Sequence, residues 1–264
     1  MKFSMKHSST SCATTGAASL ISNRILSPII SSASVLVLSL SLFACAHPPS
    51  TGTAPDAAVM TKVKQTQMSA DQALQALKDG NARFVAGDTV KRDLPAQVKA
   101  TGHDGQFPLA SIVSCIDSRS APSQVFDQGV GDLFVASVAG NVVNEDILGS
   151  LEYASKVAGT KLIVVLGHTH CGGVKGACDA VELGNLTQLV GKIRPAVNMT
   201  PDVHGSDRSS KNHHFVDAVA ENNVKLQVKA VLDKSPVLRE MVQKGQIKVV
   251  GAMLDVETGK IRFL

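Results

Sequence analysis

An α/β fold, with a mainly parallel central sheet flanked by helices, is predicted by two features of the sequence. Short apolar runs at residues 109–116, 132–139, 161–166 and 247–254 read as strands, and each is apolar along its length rather than alternating. Helical stretches separate them, and strands covered on both faces by crossover helices form parallel sheets.

The elements follow in order. Ser69 is placed to cap a helix, with Gln72 three residues on at capping-box spacing. Ala73, Leu74, Leu77 and Phe84 form its apolar face, which Gly80 and Asn81 interrupt. After the first two strands, Asn144-Glu-Asp opens a helix with Ile147, Leu148, Leu151 and Ala154 on one side. Acids in its first turn suit the helix dipole. The third strand contains Ile163, Val164 and Val165, and Gly172 and Gly173 then break the chain before another helical stretch. Residues 199–213 are polar and without a period. Helical periodicity resumes near Phe215 and runs to Leu232, and Ser235-Pro236 caps a further helix with Pro at its first position. Beyond the fourth strand, Glu257-Thr-Gly-Lys260 is a turn before a terminal strand. There is no internal repeat.

The first 45 residues differ from the rest. They hold Lys2, Lys6 and Arg24, no Asp or Glu, and an apolar stretch at 25–43. A basic start, an apolar middle and small residues before a cut read as a secretory signal. Ala44 directly before Cys45 resembles a bacterial lipobox, which implies cleavage there and lipidation of the Cys45 thiol. Cleavage after Ala46 and a retained membrane helix are the alternatives. Residues 46–68, rich in Pro, Ala, Thr and Ser, read as a flexible tether, and 69–264 as a single domain. The expected location is the periplasmic side of a bacterial envelope, with membrane contact only through the lipid anchor. Ala46 after the cysteine favours the outer membrane.

The full chain has 26 Lys+Arg and 22 Asp+Glu, and removing the signal leaves 23 against 22. A near-neutral body gives no electrostatic footprint for nucleic acid.

Cys115-Ile-Asp117-Ser-Arg119 and His168-Thr-His-Cys171-Gly-Gly carry the chemistry. Two thiolates and one imidazole could close on one zinc with a position to spare, the pattern of a catalytic rather than a structural ion. Both halves fall at the ends of predicted strands, where open α/β sheets gather their sites. A disulfide is the alternative for Cys115 and Cys171 in an exported protein, but it leaves Asp117, Arg119 and His168 without a role. If 117–119 is extended, Asp117 and Arg119 point together. The carboxylate is then either the fourth ligand of a closed site or, clamped by Arg119, the group that orients zinc-bound hydroxide. Cys178 reads as a small apolar packing residue. His170 is a solvated loop residue or a proton carrier, His213 and His214 read as cap or surface residues, and His47 and His103 as solvated.

These motifs resemble the β-class carbonic anhydrases, over residues 69–264. The matching blocks are Ala73-Leu-x-x-Leu77 with Gly80-Asn-Ala-Arg-Phe84, the C-x-D-S-R block, and Phe126-Asp-Gln-Gly-Val-Gly-Asp-Leu-Phe134. Ala139-Gly-Asn141, Gly149-Ser-Leu-Glu-Tyr153 and Gly167-His-Thr-His-Cys-Gly-Gly173 follow in the family's order. The resemblance implies Cys115, His168 and Cys171 as zinc ligands and Asp117–Arg119 as a catalytic dyad. It places Gln106 as a hydrogen-bond donor to substrate and Phe134, Ala139 and Tyr153 in a CO2 pocket built across a dimer interface. The implied reaction is reversible hydration of CO2 to bicarbonate and a proton by zinc-bound hydroxide, in a homodimer or homotetramer.

Two departures stand out. Ser137-Val138 replaces the Arg-Asn of many bacterial members, which alters pocket or interface detail. The chain has no Trp, so a regulatory bicarbonate site built beside a Trp is not expected. Two other functions fit the same residues: a hydrolase of carbonyl sulfide or carbon disulfide on this scaffold, and a non-catalytic zinc-binding envelope protein. A thiol-redox role is disfavoured by the lack of C-x-x-C.

Overall fold

The computed structural model of the protein describes residues 58–264. The expected signal, Cys45 and most of the expected tether lie outside them. Ten helices are described: α1 (Lys62–Gln67), α2 (Ala70–Ala86), α3 (Leu94–Asp104), α4 (Pro122–Val125), α5 (Glu145–Glu152), α6 (Gly172–Cys178), α7 (Gly184–Gly191), α8 (Arg194–Met199), α9 (His213–Lys234) and α10 (Pro236–Gln243). Five strands, β1 (Ala110–Ser114), β2 (Leu133–Ser137), β3 (Leu162–His168), β4 (Lys248–Leu254) and β5 (Ile261–Phe263), form one sheet in the order β2-β1-β3-β4-β5. The first four are parallel and β5 runs antiparallel to β4, so the sheet is mainly parallel, as the uniform apolar runs predict.

Each face of the sheet has its own core. Ile163 and Val165 of β3 point into one, with α5, α6, α8, α9 and α10. Leu162, Val164 and Leu166 point into the other, with α2, α4 and β5. Every residue of β1 and β3 is buried, and each Ile or Leu so placed contributes about 1.5–3 kcal/mol. The sequence reads β2 as a buried strand too. It is instead an edge strand with β1 as its one neighbour, and Val135 on it is 45% exposed.

The predicted caps form. Ser69 and Gln72 make a reciprocal capping box, and Asn144 and Ser235 cap α5 and α10. Gly80 and Asn81 do not end α2. A Cβ at Gly80 would meet Phe126 O at 1.8 Å, so only glycine lets the helix lie on that loop. Asn81 Nδ2 donates to Val125 O and Gly259 O, and its Oδ1 accepts from Ile261 N–H.

Three local readings need correction. The tether expected over 46–68 ends in a helix, α1, whose buried Gln65 donates to Pro108 O at 2.8 Å and Ala158 O at 2.9 Å. Gly172 and Gly173 form the first turn of α6 instead of a break. A Cβ at Gly173 would stand 3.0 Å from Gly140 N, so the glycine serves close approach. Residues 118–120 form a 3₁₀ turn and are not extended.

Beyond the sheet, Asp127 anchors the loop after α4. It is buried at φ +46° and accepts from Arg83 Nε at 2.6 Å, Arg92 Nη1 at 2.5 Å and Val90 N–H. Burial raises its pKa, but the hydrogen bonds from Arg92 and Arg83 outweigh that and the net shift is downward. A depressed carboxyl pKa stabilises the fold above the unfolded value, about 3.9, and that contribution is lost as pH falls through the lower folded value. Asp127→Ala is expected to cost about 3–5 kcal/mol in urea unfolding, as for other broken buried pairs. It should also remove part of the loss of stability below about pH 4. A loss under 1 kcal/mol would mean the two arginines find other partners.

Candidate metal centre

β1 and β3 are adjacent and in register, with Ser114 opposite Leu166. Cys115 therefore leaves the sheet beside the end of β3, where His168 is the last strand residue and Cys171 the residue before α6. The loop after β2 arrives at the same rim and passes Gly140 over Cys115. Parallel pairing thus converges three loops at the carboxyl edge of the sheet.

Cys115 Sγ, Cys171 Sγ and one nitrogen of His168 lie within 4.8 Å of one another, and all three residues are buried. No other such group of three occurs among the described residues. The two sulfurs are 4.0 Å apart and both cysteines are free, against about 2.05 Å in a disulfide. Two thiolates bound tetrahedrally at about 2.3 Å to one ion stand about 3.8 Å apart, so the spacing suits a shared metal.

The hydrogen bonding points the same way. His168 Nδ1 lies 2.8 Å from Thr169 O. A carbonyl can only accept, so Nδ1 carries the proton and the Nε2 lone pair turns to the sulfurs. Nε2 is buried and has no hydrogen-bond partner, a costly state for a polar atom unless a metal takes it. Cys115 is pushed down to about 4, first by its contact with the Cys171 thiol, against burial, and further by His168 and the Gly140 N–H. Cys171 is pushed up by the same contact and by burial. Two sulfurs this close keep one proton between them, and a divalent cation is what lets both ionise.

Asp117 stands at the rim. Its Oδ1 accepts from Arg119 N–H at 3.0 Å and Nε at 2.9 Å, and its Oδ2 from Nη2 at 2.8 Å. The pair therefore forms by capping a 3₁₀ turn, and the expected extended alternation is replaced. Arg119 holds the Asp117 carboxyl well below the usual carboxylate range. Oδ2 is 4.0 Å from His168 Nε2, and Asp117 is not one of the three clustered residues.

The remaining predicted site residues are not members of the cluster. Phe134 and Tyr153 pair at 6.4 Å between centroids and line a cavity of about 250 Å³ with Ser111, Ile112 and Leu151. Tyr153 is 58% exposed, and Gln106 is exposed in the loop after α3. Ala139 opens the turn that carries Gly140. His170 sits at φ +58°, its N–H donating to Asp217 Oδ1 at 2.8 Å and its Nε2 3.3 Å from Glu257. His213 begins α9, which Asn212 caps, and Cys178 is half-buried at the end of α6.

The sequence reading missed the Gly140 N–H, which donates to Cys115 Sγ at 3.4 Å. Ala139-Gly-Asn141 was visible as a motif, but a backbone donor has no side-chain signature.

A sequence model of the carbonic anhydrase family matches residues 110–261. Carbonic anhydrase 2 of Mycobacterium tuberculosis is 37% identical over 189 residues, 71% of this chain and 89% of its own length. Carbonic anhydrase of Mycolicibacterium smegmatis is 35% identical over 192 residues, 72% of this chain and 91% of its own. Among solved structures, the β-carbonic anhydrase CafA of Aspergillus fumigatus superposes with a TM-score of 0.57 at 27% identity, covering 74% of this chain and 89% of that one. One of two tetrameric β-carbonic anhydrases from Sordaria macrospora gives 0.54 at 26%, covering 64% and 90%.

If the three clustered residues share one ion, Cys115→Ser should lose bound zinc and some folded stability, because metal binding is coupled to folding. Elemental analysis of purified protein measures this. Zinc retained at the parent stoichiometry would remove Cys115 from the ligand set.

Proposed function

The chain belongs to the carbonic anhydrase family, in its β class, and we propose that it hydrates CO2 reversibly at a zinc held by Cys115, His168 and Cys171. The observation that carries this is the buried Cys–His–Cys cluster with its unpartnered His168 Nε2. Zinc bound there supplies Lewis acidity, the chemistry that makes water a nucleophile near neutral pH.

The protein's own groups do the rest. His168 is fixed in tautomer and direction by Thr169 O. Asp117 stays charged in the fork of Arg119, so it can only accept hydrogen bonds. With Oδ2 facing the cluster, it accepts a hydrogen bond from a reacting water and so aims a water lone pair at the CO2 carbon. Arg119 keeps Asp117 from turning inward to become a fourth ligand. One C–O bond forms to water, bicarbonate results, and one proton leaves to solvent.

Gln106, Phe134, Ala139 and Tyr153 complete the substrate pocket in this reading. Phe134 and Tyr153 pair at the edge strand β2 and line one cavity with Val135, which is exposed. That edge suits a second copy of the chain, and a homodimer or homotetramer is proposed. Export and lipid anchoring at Cys45 rest on the basic start, the apolar run and the small residue before Cys45.

Stopped-flow CO2 hydration by the zinc-loaded protein tests the reading. Asp117→Asn should keep its zinc and lose roughly a hundredfold in turnover, the scale of an oriented acid–base group. Full activity in that variant would remove Asp117 from the reaction. Zinc-loaded parent that hydrates carbonyl sulfide and not CO2 would reassign the substrate, and no turnover of either would favour a binding role. Tyr153→Lys should shift the oligomer toward monomer in sedimentation; an unchanged assembly would place the interface elsewhere.

A further inference from the structure

Helix α9 carries two carboxamides on its buried stripe, where the pattern calls for apolar residues. Asn223 is fully buried and Gln227 nearly so, among Val219, Val224 and Val231. Asn223 Nδ2 donates to Gly140 O at 2.8 Å. Gln227 Nε2 donates to Asn223 Oδ1 at 3.1 Å, and Gln227 Oε1 accepts from Val143 N–H at 2.8 Å. One helix thereby clips two points of the loop after β2.

Between those points lies the backbone that meets the metal cluster. Gly140 is at φ +68° and Asn141 at φ +45°. A Cβ at Gly140 would meet Ile193 Cδ1 at 2.4 Å, so Gly140 itself carries no side chain that could orient its peptide. Its N–H nevertheless points at Cys115 Sγ. An N–H bond to a thiolate draws charge from the sulfur, and its strength depends on peptide orientation. Groups behind the ligands tune metal sites in this way.

Resting on the zinc reading above, we infer that Asn223, oriented by Gln227, is a positioning residue that holds the Gly140 N–H on the Cys115 sulfur and so sets how strongly that sulfur donates to the metal. The competing view is that both carboxamides only satisfy buried backbone groups. Asn81 separates the two, because it does that job alone on the opposite face of the sheet.

The test uses cobalt-substituted protein and reads the sulfur-to-cobalt charge-transfer band. Asn223→Leu should move the band to lower energy and weaken zinc binding roughly tenfold. Gln227→Met should move it in the same direction by less. Asn81→Leu should lose stability with the band unmoved. A folded Asn223→Leu or Gln227→Met protein whose band matches the parent overturns the inference. If neither variant folds, cadmium-substituted parent decides by NMR. Scalar coupling between cadmium and the Gly140 amide proton supports the bond, and its absence overturns the inference. A parent that takes up no cobalt overturns the zinc reading itself, and the inference falls with it.

Discussion

Two thiols and an imidazole gathered within 4.8 Å in the interior leave a buried nitrogen lone pair without a donor and two sulfurs sharing one proton. One thiol proton and the backbone N–H groups of Gly140, Asp117, Gly173 and Val174 reach the sulfurs, but His168 Nε2 has no partner. Charge on both sulfurs is unfavourable in a low-dielectric site without a cation beside them. A shared zinc ion, as proposed, would resolve all of this at once and would give the placement of Asp117 a purpose.

The sheet makes that convergence cheap. Parallel register brings the ends of β2, β1 and β3 to one rim. Small residues let backbones close around it. A Cβ at Gly167 would strike Val224 at 2.4 Å, so the absence of one lets α9 pack tightly beside His168. Gly173 and Gly140 do the same for α6 and the loop after β2. The helix that seals one face of the core is therefore also the helix that reaches the loop after β2 through Asn223.

Strands, capped helices and the three clustered residues were legible because their signals are local. Uniform apolar runs mark β1 and β3, and Ser69, Asn144 and Ser235 sit at cap spacing. Helices α1 and α3 were not legible. Each buries one residue, Gln65 and Gln97, so neither shows an apolar period. Gln65 fastens α1 to two backbone carbonyls, and Gln97 Oε1 accepts from Val130 N–H. Tertiary contacts of this kind leave no periodic trace. The Asp117–Arg119 pair was legible as a pair while its geometry was not, because a two-residue spacing fits a 3₁₀ turn as well as an extended segment. Asn223 and Gln227 had a readable signal after all: two carboxamides four apart on an otherwise apolar stripe.

X-ray absorption at the zinc edge of the metal-loaded protein addresses the shared ion most directly. Two sulfurs at about 2.3 Å and light N/O ligands at about 2.0–2.1 Å, with one zinc per chain, are the expected first shell. A shell of four sulfurs, a shell without sulfur, or protein that cannot be loaded with zinc would contradict a common metal for Cys115, His168 and Cys171.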